Sequence, residues 1–338
     1  MDTPAVIETS GLVKRFGTVT AVAGLDLTVQ AGDVFGFLGP NGAGKTTTIR
    51  MLVALLRPSA GEIRLFGEAV RPGAASLERV GSLVERPAFY PYLSAAENLL
   101  LLSAARGVRG PAARTAIDEA LERTGLASVS RRKVGGFSTG MRQRLGLSFA
   151  ILHHPSLVIL DEPTNGLDPS GVVEVRAIIA GLAREGTTVF LSSHVLTEVE
   201  QLCRRVAVLR NGHVVAQGLT RDLLGGRERL LTRFDSAEEA ESAGRILVAA
   251  GFGVERAAGS GSTSPAWFVE AEAIEGSRVA RVLGEAGIYP AELSVDRPSL
   301  EDVFLELTGD AATADAASSD AAPNHPAPTD GDADGTAA

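Results

Sequence analysis

The sequence predicts an α/β protein with a parallel-sheet core, a helical insertion in that core, and a smaller α+β domain followed by a tail. Short apolar runs alternate with helical patterns up to about residue 225, which is typical of a parallel sheet covered on both faces. A length of 338 residues is also sufficient for more than one domain. We therefore assign a first domain to residues 1–225.

The strands of this first domain are predicted from four short apolar runs. They are residues 34–38, 157–160, 189–191 and 206–209. Between about residues 87 and 152 the pattern becomes helical. Ser94 and Glu97 form a capping-box pattern, Pro111 suits a first helical turn, and Gly125 suits a helix end. This stretch is the predicted helical insertion.

The C-terminal part divides into two further regions. Residues 226–309 are predicted to form an accessory α+β domain, with strands around Val254, Phe268 and Val295 and a helix that begins near Ser236. Residues 310–338 are rich in Ala, Asp, Thr and Pro and lack large apolar side chains, so we expect a disordered acidic tail.

Composition argues against several functional classes, although a local basic patch for nucleic acid stays open. The formal charge of −9 becomes −3 without the six aspartates of the tail, which gives no global reason to expect nucleic-acid binding. The single cysteine, Cys203, fits a reducing cytosol and a small buried side chain. The N-terminus lacks a signal-peptide pattern, and every apolar run is too short to span a bilayer, so a membrane role requires a partner.

A phosphate-binding loop is predicted between the first apolar strand and a helix expected over residues 46–56. Its nine residues are Gly39, Pro40, Asn41, Gly42, Ala43, Gly44, Lys45, Thr46 and Thr47. Glycines let successive N–H groups point at one anion, and the helix N-terminus favours negative charge. Lys45 is expected to neutralise the β- and γ-phosphates, and Thr46 to offer its hydroxyl to Mg²⁺. The pattern predicts a P-loop NTPase core.

Polar residues follow two further apolar strands. Asp161 and Glu162 end one of them, and His194 follows another. Ligands of α/β sheets bind at the carboxyl ends of strands, so these side chains are expected to face the phosphates. Asp161 suits Mg²⁺ binding, Glu162 suits the role of general base toward water, and His194 is placed to reach the γ-phosphate and that water.

A further motif opens a helix at residues 137–143, with the sequence Phe-Ser-Thr-Gly-Met-Arg-Gln. It resembles the signature motif of ABC ATPases, and the complete set of motifs resembles the nucleotide-binding domains of ABC transporters over roughly the first two-thirds of the chain. This resemblance implies a dimer of two cassettes with ATP between them. The predicted signature residues Ser138, Thr139, Gly140 and Met141 would then complete the site of the other subunit.

The resemblance assigns three further residues singly. Phe16 lies where the family stacks an aromatic ring on adenine, and Asp168 matches the D-loop at the dimer interface. Glu85 lies where the family commonly has Gln; it is expected to contact Mg²⁺ or water, and so to act at the metal and in catalysis. Glu85 and the run at residues 87–91 resemble the bacitracin- and lantibiotic-resistance branch.

The function implied is an ATP-hydrolysing motor subunit of an ABC exporter that uses ATP and Mg²⁺. Its expected partners are a separate integral membrane permease and a second ABC ATPase subunit, with a homodimer favoured. The chain is expected at the cytoplasmic face of the membrane. Residues 297–304 resemble the end of an accessory domain found in exporter motors. Drug, peptide, lipid and polysaccharide substrates stay open. The alternative is a soluble ABC-type ATPase that acts on ribosomes or DNA, but such proteins commonly carry two cassettes or long inserted arms.

Overall fold

The computed structural model describes residues 4–85, 88–224, 229–257, 265–271, 275–296, 299–301 and 303. Its strands are β1 Ala5–Phe16, β2 Val19–Gln30, β3 Val34–Leu38, β4 Ala60–Leu65, β5 Glu68–Ala69, β6 Val80–Leu83, β7 Leu157–Asp161, β8 Thr188–Ser193, β9 Arg205–Arg210, β10 His213–Leu219, β11 Arg229–Arg233, β12 Gly253–Arg256, β13 Ala266–Glu270 and β14 Glu292–Asp296. Its α-helices are α1 Lys45–Leu52, α2 Ala95–Ala105, α3 Gly110–Arg123, α4 Thr139–Ile151, α5 Pro169–Arg184, α6 Leu196–Leu202, α7 Thr220–Leu223, α8 Ala237–Ala249 and α9 Gly276–Glu285.

The central sheet confirms the predicted fold class. Its order is β10-β9-β3-β8-β7-β6, with parallel pairing throughout except between β9 and β10. Every residue of β3, β7 and β8 is buried, as expected for strands covered on both faces. On one face the rings of Phe35 and Phe190 stack with their centroids 5.7 Å apart. The carboxyl ends of β3, β7 and β8 therefore meet at one edge of a rigid sheet.

A second sheet was missed by the sequence analysis. It is antiparallel, with the order β2-β1-β4-β5, and its two long strands form a hairpin from Ala5–Phe16 and Val19–Gln30. The predicted helix over residues 46–56 is too long. Helix α1 ends at Leu52, and the chain then turns through Ala54, whose φ is 59°.

The helical insertion consists of α2, α3 and α4. The capping box that begins α2 is confirmed, since Ser94 Oγ accepts from Glu97 N–H while the Glu97 carboxylate accepts from Ser94 N–H. Pro111 lies in the first turn of α3, and Gly125 follows that helix with a φ of 67°. Apolar residues of the insertion share one core cluster with one face of the central sheet.

The C-terminal elements have the order β11-α8-β12-β13-α9-β14, and their sheet has the strand order β12-β13-β11-β14. All its pairs are antiparallel, so β11 and β12 run parallel with β13 between them, a ferredoxin-like split βαβ arrangement. The first and last strands are neighbours, with Arg229 opposite Asp296. The predicted domain boundary and the tail fall outside the described residues, and the division into domains stays a prediction.

Cys203 is a buried free cysteine, and burial raises the pKa of its thiol. No helix in the described part of the chain is long and apolar enough to cross a membrane.

Candidate nucleotide site

The loop between β3 and α1 forms an open cradle because its glycines adopt conformations that other residues avoid. Gly39, Gly42 and Gly44 have φ values of 155°, 83° and 105°. A Cβ on Gly44 would lie 2.4 Å from the carbonyl oxygen of Ala21. The cradle encloses about 210 Å³ and is lined by Ala21, Pro40, Asn41, Gly42, Gly44, Lys45, Thr46, Thr47, Glu162 and Asn165. Its shape suits a phosphate chain at the N-terminus of α1.

The side chain of Lys45 lies inside this cradle. It is 5% exposed, and its Nζ donates to the carbonyl oxygens of Gly39 (2.7 Å) and Pro40 (3.2 Å). The same nitrogen lies 3.2 Å from Oε1 of Glu162. Its positive charge is thus compensated by a carboxylate that belongs to the end of β7.

Glu162 follows β7 and contacts His194, the residue that follows β8. Its Oε2 lies 2.6 Å from Nδ1 of His194, at the end of β8, while its Oε1 faces Lys45. Its φ is 49°, in the left-handed region that is uncommon for a residue other than glycine. A strained residue at a strand end with its carboxylate between a lysine and a histidine is characteristic of functional sites.

Asp161 lies behind Glu162 and is only 7% exposed. Ser192 Oγ donates to Asp161 Oδ1 at 2.6 Å and accepts the N–H of Glu162 at 3.0 Å. Asp161 is therefore outside the lining of the cradle, whereas Thr46 belongs to it. The Thr46 hydroxyl and the Asp161 carboxylate are oxygen donors of the kind that Mg²⁺ prefers. Among the described residues there is no cluster of three His, Cys, Asp or Glu side chains.

Glu85 does not line the cradle. Its exposed carboxylate pairs with Arg50 of α1, and its backbone adopts a φ of 65°. Its predicted part in catalysis and metal binding stays a prediction. No sequence pattern predicts this ion pair, since the two residues are 35 positions apart.

Phe16 ends β1 with its side chain 48% exposed, and the ammonium of Lys14 lies 5.1 Å from the ring centroid. An exposed aromatic ring at this place is available for stacking, so its expected contact with adenine stays a prediction.

The signature residues begin α4. Ser138 is the N-cap residue, and its Oγ accepts from the N–H of Met141 at 3.2 Å. Thr139 is the first residue of the helix. A Cβ on Gly140 would meet no heavy atom closer than 4.0 Å. Within one chain, packing therefore does not require glycine at this position.

Asp168 caps the N-terminus of α5 by accepting from Gly171 N–H at 3.1 Å. The Ser170 hydroxyl and then this N–H lower the pKa of the Asp168 carboxyl. Its side chain thus has a structural role in this chain, and its expected place at a dimer interface stays a prediction.

Two contacts of the loop after Glu162 were not predicted from sequence. Gln143 Nε2 donates to the carbonyl oxygen of Pro163 at 2.7 Å, and Thr164 Oγ1 donates to Glu198 Oε2 at 2.5 Å. Gln143 was part of the recognised motif, but Glu198 lies in α6 without any sequence signal of its own.

Comparisons with known proteins show the family of the chain. Residues 22–165 match the family model described as ABC transporter. The bacitracin transport ATP-binding protein BcrA of Bacillus licheniformis is 39% identical over 314 residues, covering 90% of this chain and 97% of that protein. The daunorubicin/doxorubicin resistance ATP-binding protein DrrA of Streptomyces peucetius is 39% identical over 309 residues, covering 90% and 93%.

Solved structures extend the likeness. The cbiO1 protein of Clostridium perfringens, part of the ABC transporter complex cbiONQ, has a TM-score of 0.60 at 25% identity, covering 66% of this chain and 91% of that one. A dimeric ATP-binding cassette bound to ADP and Pi has a TM-score of 0.57 at 23% identity, covering 64% and 99%, and shares the fold. The cradle, the carboxylate beside it and these relatives lead to one assignment: the chain belongs to the family of ABC transporter ATP-binding subunits and is an ATPase.

Proposed function

We propose that this chain is the ATP-hydrolysing motor of an exporter and acts through a separate membrane permease at the cytoplasmic face of the membrane. The observation that carries the hydrolytic part of this proposal is the contact of Glu162 with both Lys45 and His194 at the cradle. Near-full-length likeness to a bacitracin transport protein and a daunorubicin/doxorubicin resistance protein supports export of an antibiotic-like compound.

The residues in and beside the cradle have different roles in hydrolysis. Lys45 and the N–H groups at the start of α1 bind and orient the phosphates. Glu162 accepts the proton of the attacking water, and His194 holds that carboxylate in place through its Nδ1. Mg²⁺ would be held by Thr46 with Asp161 behind it, and would supply positive charge to the phosphate oxygens.

A second cassette is part of the proposal because Gly140 is not required by packing within one chain. The open space around its Cα, together with the N-terminus of α4, suits close approach by the phosphates held in a partner subunit. Ser138 offers its hydroxyl at the same helix end. We favour a second copy of this chain as that partner.

The permease is proposed to contact the exposed aromatic pair of the helical insertion. Tyr90 and Tyr92 are 48% and 64% exposed, and their ring centroids are 5.7 Å apart. The loop that carries them is fixed by Asn98, which is buried and bonds both the N–H and the carbonyl of Tyr90. A rigid loop with exposed aromatic rings suits protein–protein contact.

The proposal is tested by purification of tagged Glu162→Gln protein with ATP and Mg²⁺ from solubilised membranes. We expect a polytopic membrane subunit to co-purify, and Tyr92→Asp to abolish its recovery. Tyr289→Asp is the matched control, because Tyr289 is 77% exposed but lies in the C-terminal part. Recovery of ribosomes or DNA without any membrane subunit would refute the exporter and favour a soluble ATPase.

A further inference from the structure

The loop that follows the proposed base is held by two helices that are distant from it in sequence. Gln143 of α4 donates to the carbonyl oxygen of Pro163 at 2.7 Å. Glu198 of α6 accepts from the hydroxyl of Thr164 at 2.5 Å. Pro163 and Thr164 are both buried and directly follow Glu162. Each of these residues is therefore anchored by a different helix.

This anchoring matters because the backbone of Glu162 is strained. Its φ of 49° lies in the left-handed region, where a residue other than glycine stays only if its surroundings fix it. Ser192 fixes its N–H, and Asn165 N–H donates to its carbonyl oxygen at 3.1 Å to close the turn. The bonds from Gln143 and Glu198 fix the remaining part of that turn.

The helix that carries Gln143 also carries the signature residues. Helix α4 begins after its N-cap Ser138, and Gln143 lies at the start of its second turn. A helix moves as a rigid unit over such a short distance. A displacement of its N-terminus would therefore shift the carbonyl of Pro163, which directly follows Glu162.

We propose that Gln143 and Glu198 are positioning residues that hold Glu162 in its catalytic geometry, and that Gln143 couples the signature helix to the base of the same chain. The inference rests on the proposed role of Glu162 as the general base. It adds two residues that do not line the cradle.

The test compares purified full-length variants in steady-state ATP hydrolysis. Gln143→Met keeps the length of the side chain but removes the donor, and Glu198→Ala removes the acceptor. Glu198→Gln retains an acceptor oxygen, so it is the rescue variant. Glu200→Ala is the matched control, since Glu200 lies on the same helix outside the bond to Thr164.

We expect kcat to fall about 10–100-fold in Gln143→Met and Glu198→Ala, because small displacements of a catalytic group have effects of this size. The KM for MgATP should stay within about twofold, since the phosphate contacts are unchanged. Glu198→Gln should recover most of the rate, and Glu200→Ala should match the wild type.

A second measurement needs no nucleotide. The N–H groups of Asn165 and Leu167 bond within the loop, at 3.1 Å to Glu162 O and 3.2 Å to Thr164 O. Their hydrogen exchange should be about tenfold faster in Gln143→Met and Glu198→Ala than in the wild type. Glu198→Gln should restore the slow exchange.

The outcomes separate this inference from the proposed function. Normal turnover in Glu162→Gln would overturn the proposed base. The positioning inference alone would be overturned by another result. In that case Glu162→Gln would be slow, while Gln143→Met and Glu198→Ala would keep the kcat and the hydrogen exchange of the wild type. An equal loss of rate in Glu198→Gln and Glu198→Ala would also overturn it, since the retained acceptor would then have no effect.

Discussion

The ion pair between Lys45 and Glu162 should compete with nucleotide binding. The carboxylate lies 3.2 Å from the ammonium that is expected to bind phosphate, and its side chain is 19% exposed. Coulomb's law at an effective dielectric constant of about 20 gives roughly 5 kcal/mol of attraction at this separation. Desolvation of both groups offsets most of that attraction, and a charged hydrogen bond typically contributes a net ~1.5–3 kcal/mol.

Glu162→Gln removes this competitor and leaves the shape of the side chain unchanged. If ~1.4 kcal/mol of the net attraction is lost when nucleotide binds, the variant should bind nucleotide about tenfold more tightly. ATP hydrolysis should fall at the same time by ~10²–10⁴-fold, because the general base is absent. Tighter binding and slower turnover in one variant would distinguish this effect from simple damage to the site.

The affinity is measured by isothermal titration calorimetry with ADP. Its β-phosphate is expected to contact Lys45, and ADP avoids the complication of ongoing hydrolysis. Glu119→Gln is the control, since Glu119 pairs with the exposed His154 on the surface. ADP affinity of Glu162→Gln equal to that of the wild type, or weaker, would show that the ion pair does not oppose binding.

Three further variants test packing, the signature and a helix cap. Gly81→Ala should lower the free energy of unfolding by about 3 kcal/mol or more in denaturant titrations, because its Cβ would lie 1.7 Å from the carbonyl oxygen of Ala150; a loss below 1 kcal/mol would contradict this. Gly140→Ala should keep the melting temperature within about 2 °C, since its Cβ meets nothing closer than 4.0 Å, yet reduce ATP turnover at least about tenfold; normal turnover would argue against a role of this glycine across a dimer. Asp168→Asn should unfold more easily than the wild type at neutral pH, and the difference should shrink as pH falls through the lowered pKa of Asp168, because the ionised cap stabilises only above that range; a difference that is constant from pH 7 to pH 2 would refute the charge effect.

The parts of the fold that the sequence predicted are those with a local signal. The strands β3, β7 and β8 are continuous apolar runs since both of their faces are covered, and a capping box depends on residues three positions apart. The hairpin of β1 and β2 had a weaker signal. Buried and exposed residues alternate strictly only over residues 25–29 of β2, β1 has no such alternation, and the register between the two strands shifts repeatedly.

In the candidate site, too, the residues with a local sequence signal were the predictable ones. Lys45, Glu162 and His194 follow strands that end at one edge of the sheet, so strand order alone brings them together. The pairing of Glu85 with Arg50 depends on how a loop folds over α1. Similarly, the bond between Thr164 and Glu198 joins residues 34 positions apart, and only the packed structure reveals it.

The strand order of the C-terminal sheet has a consequence for how such a chain is assembled. Because β11 and β14 are antiparallel neighbours, the chain enters and leaves this unit at the same place, where Arg229 faces Asp296 and their side chains pair at 2.7 Å. Opposite residues in such a ladder have Cα atoms only about 5 Å apart. Excision of residues 229–296 would therefore leave two ends that a very short peptide can join. We therefore predict that residues 229–296 can be gained, lost or exchanged as a module without a change in the path of the chain through the ATPase core.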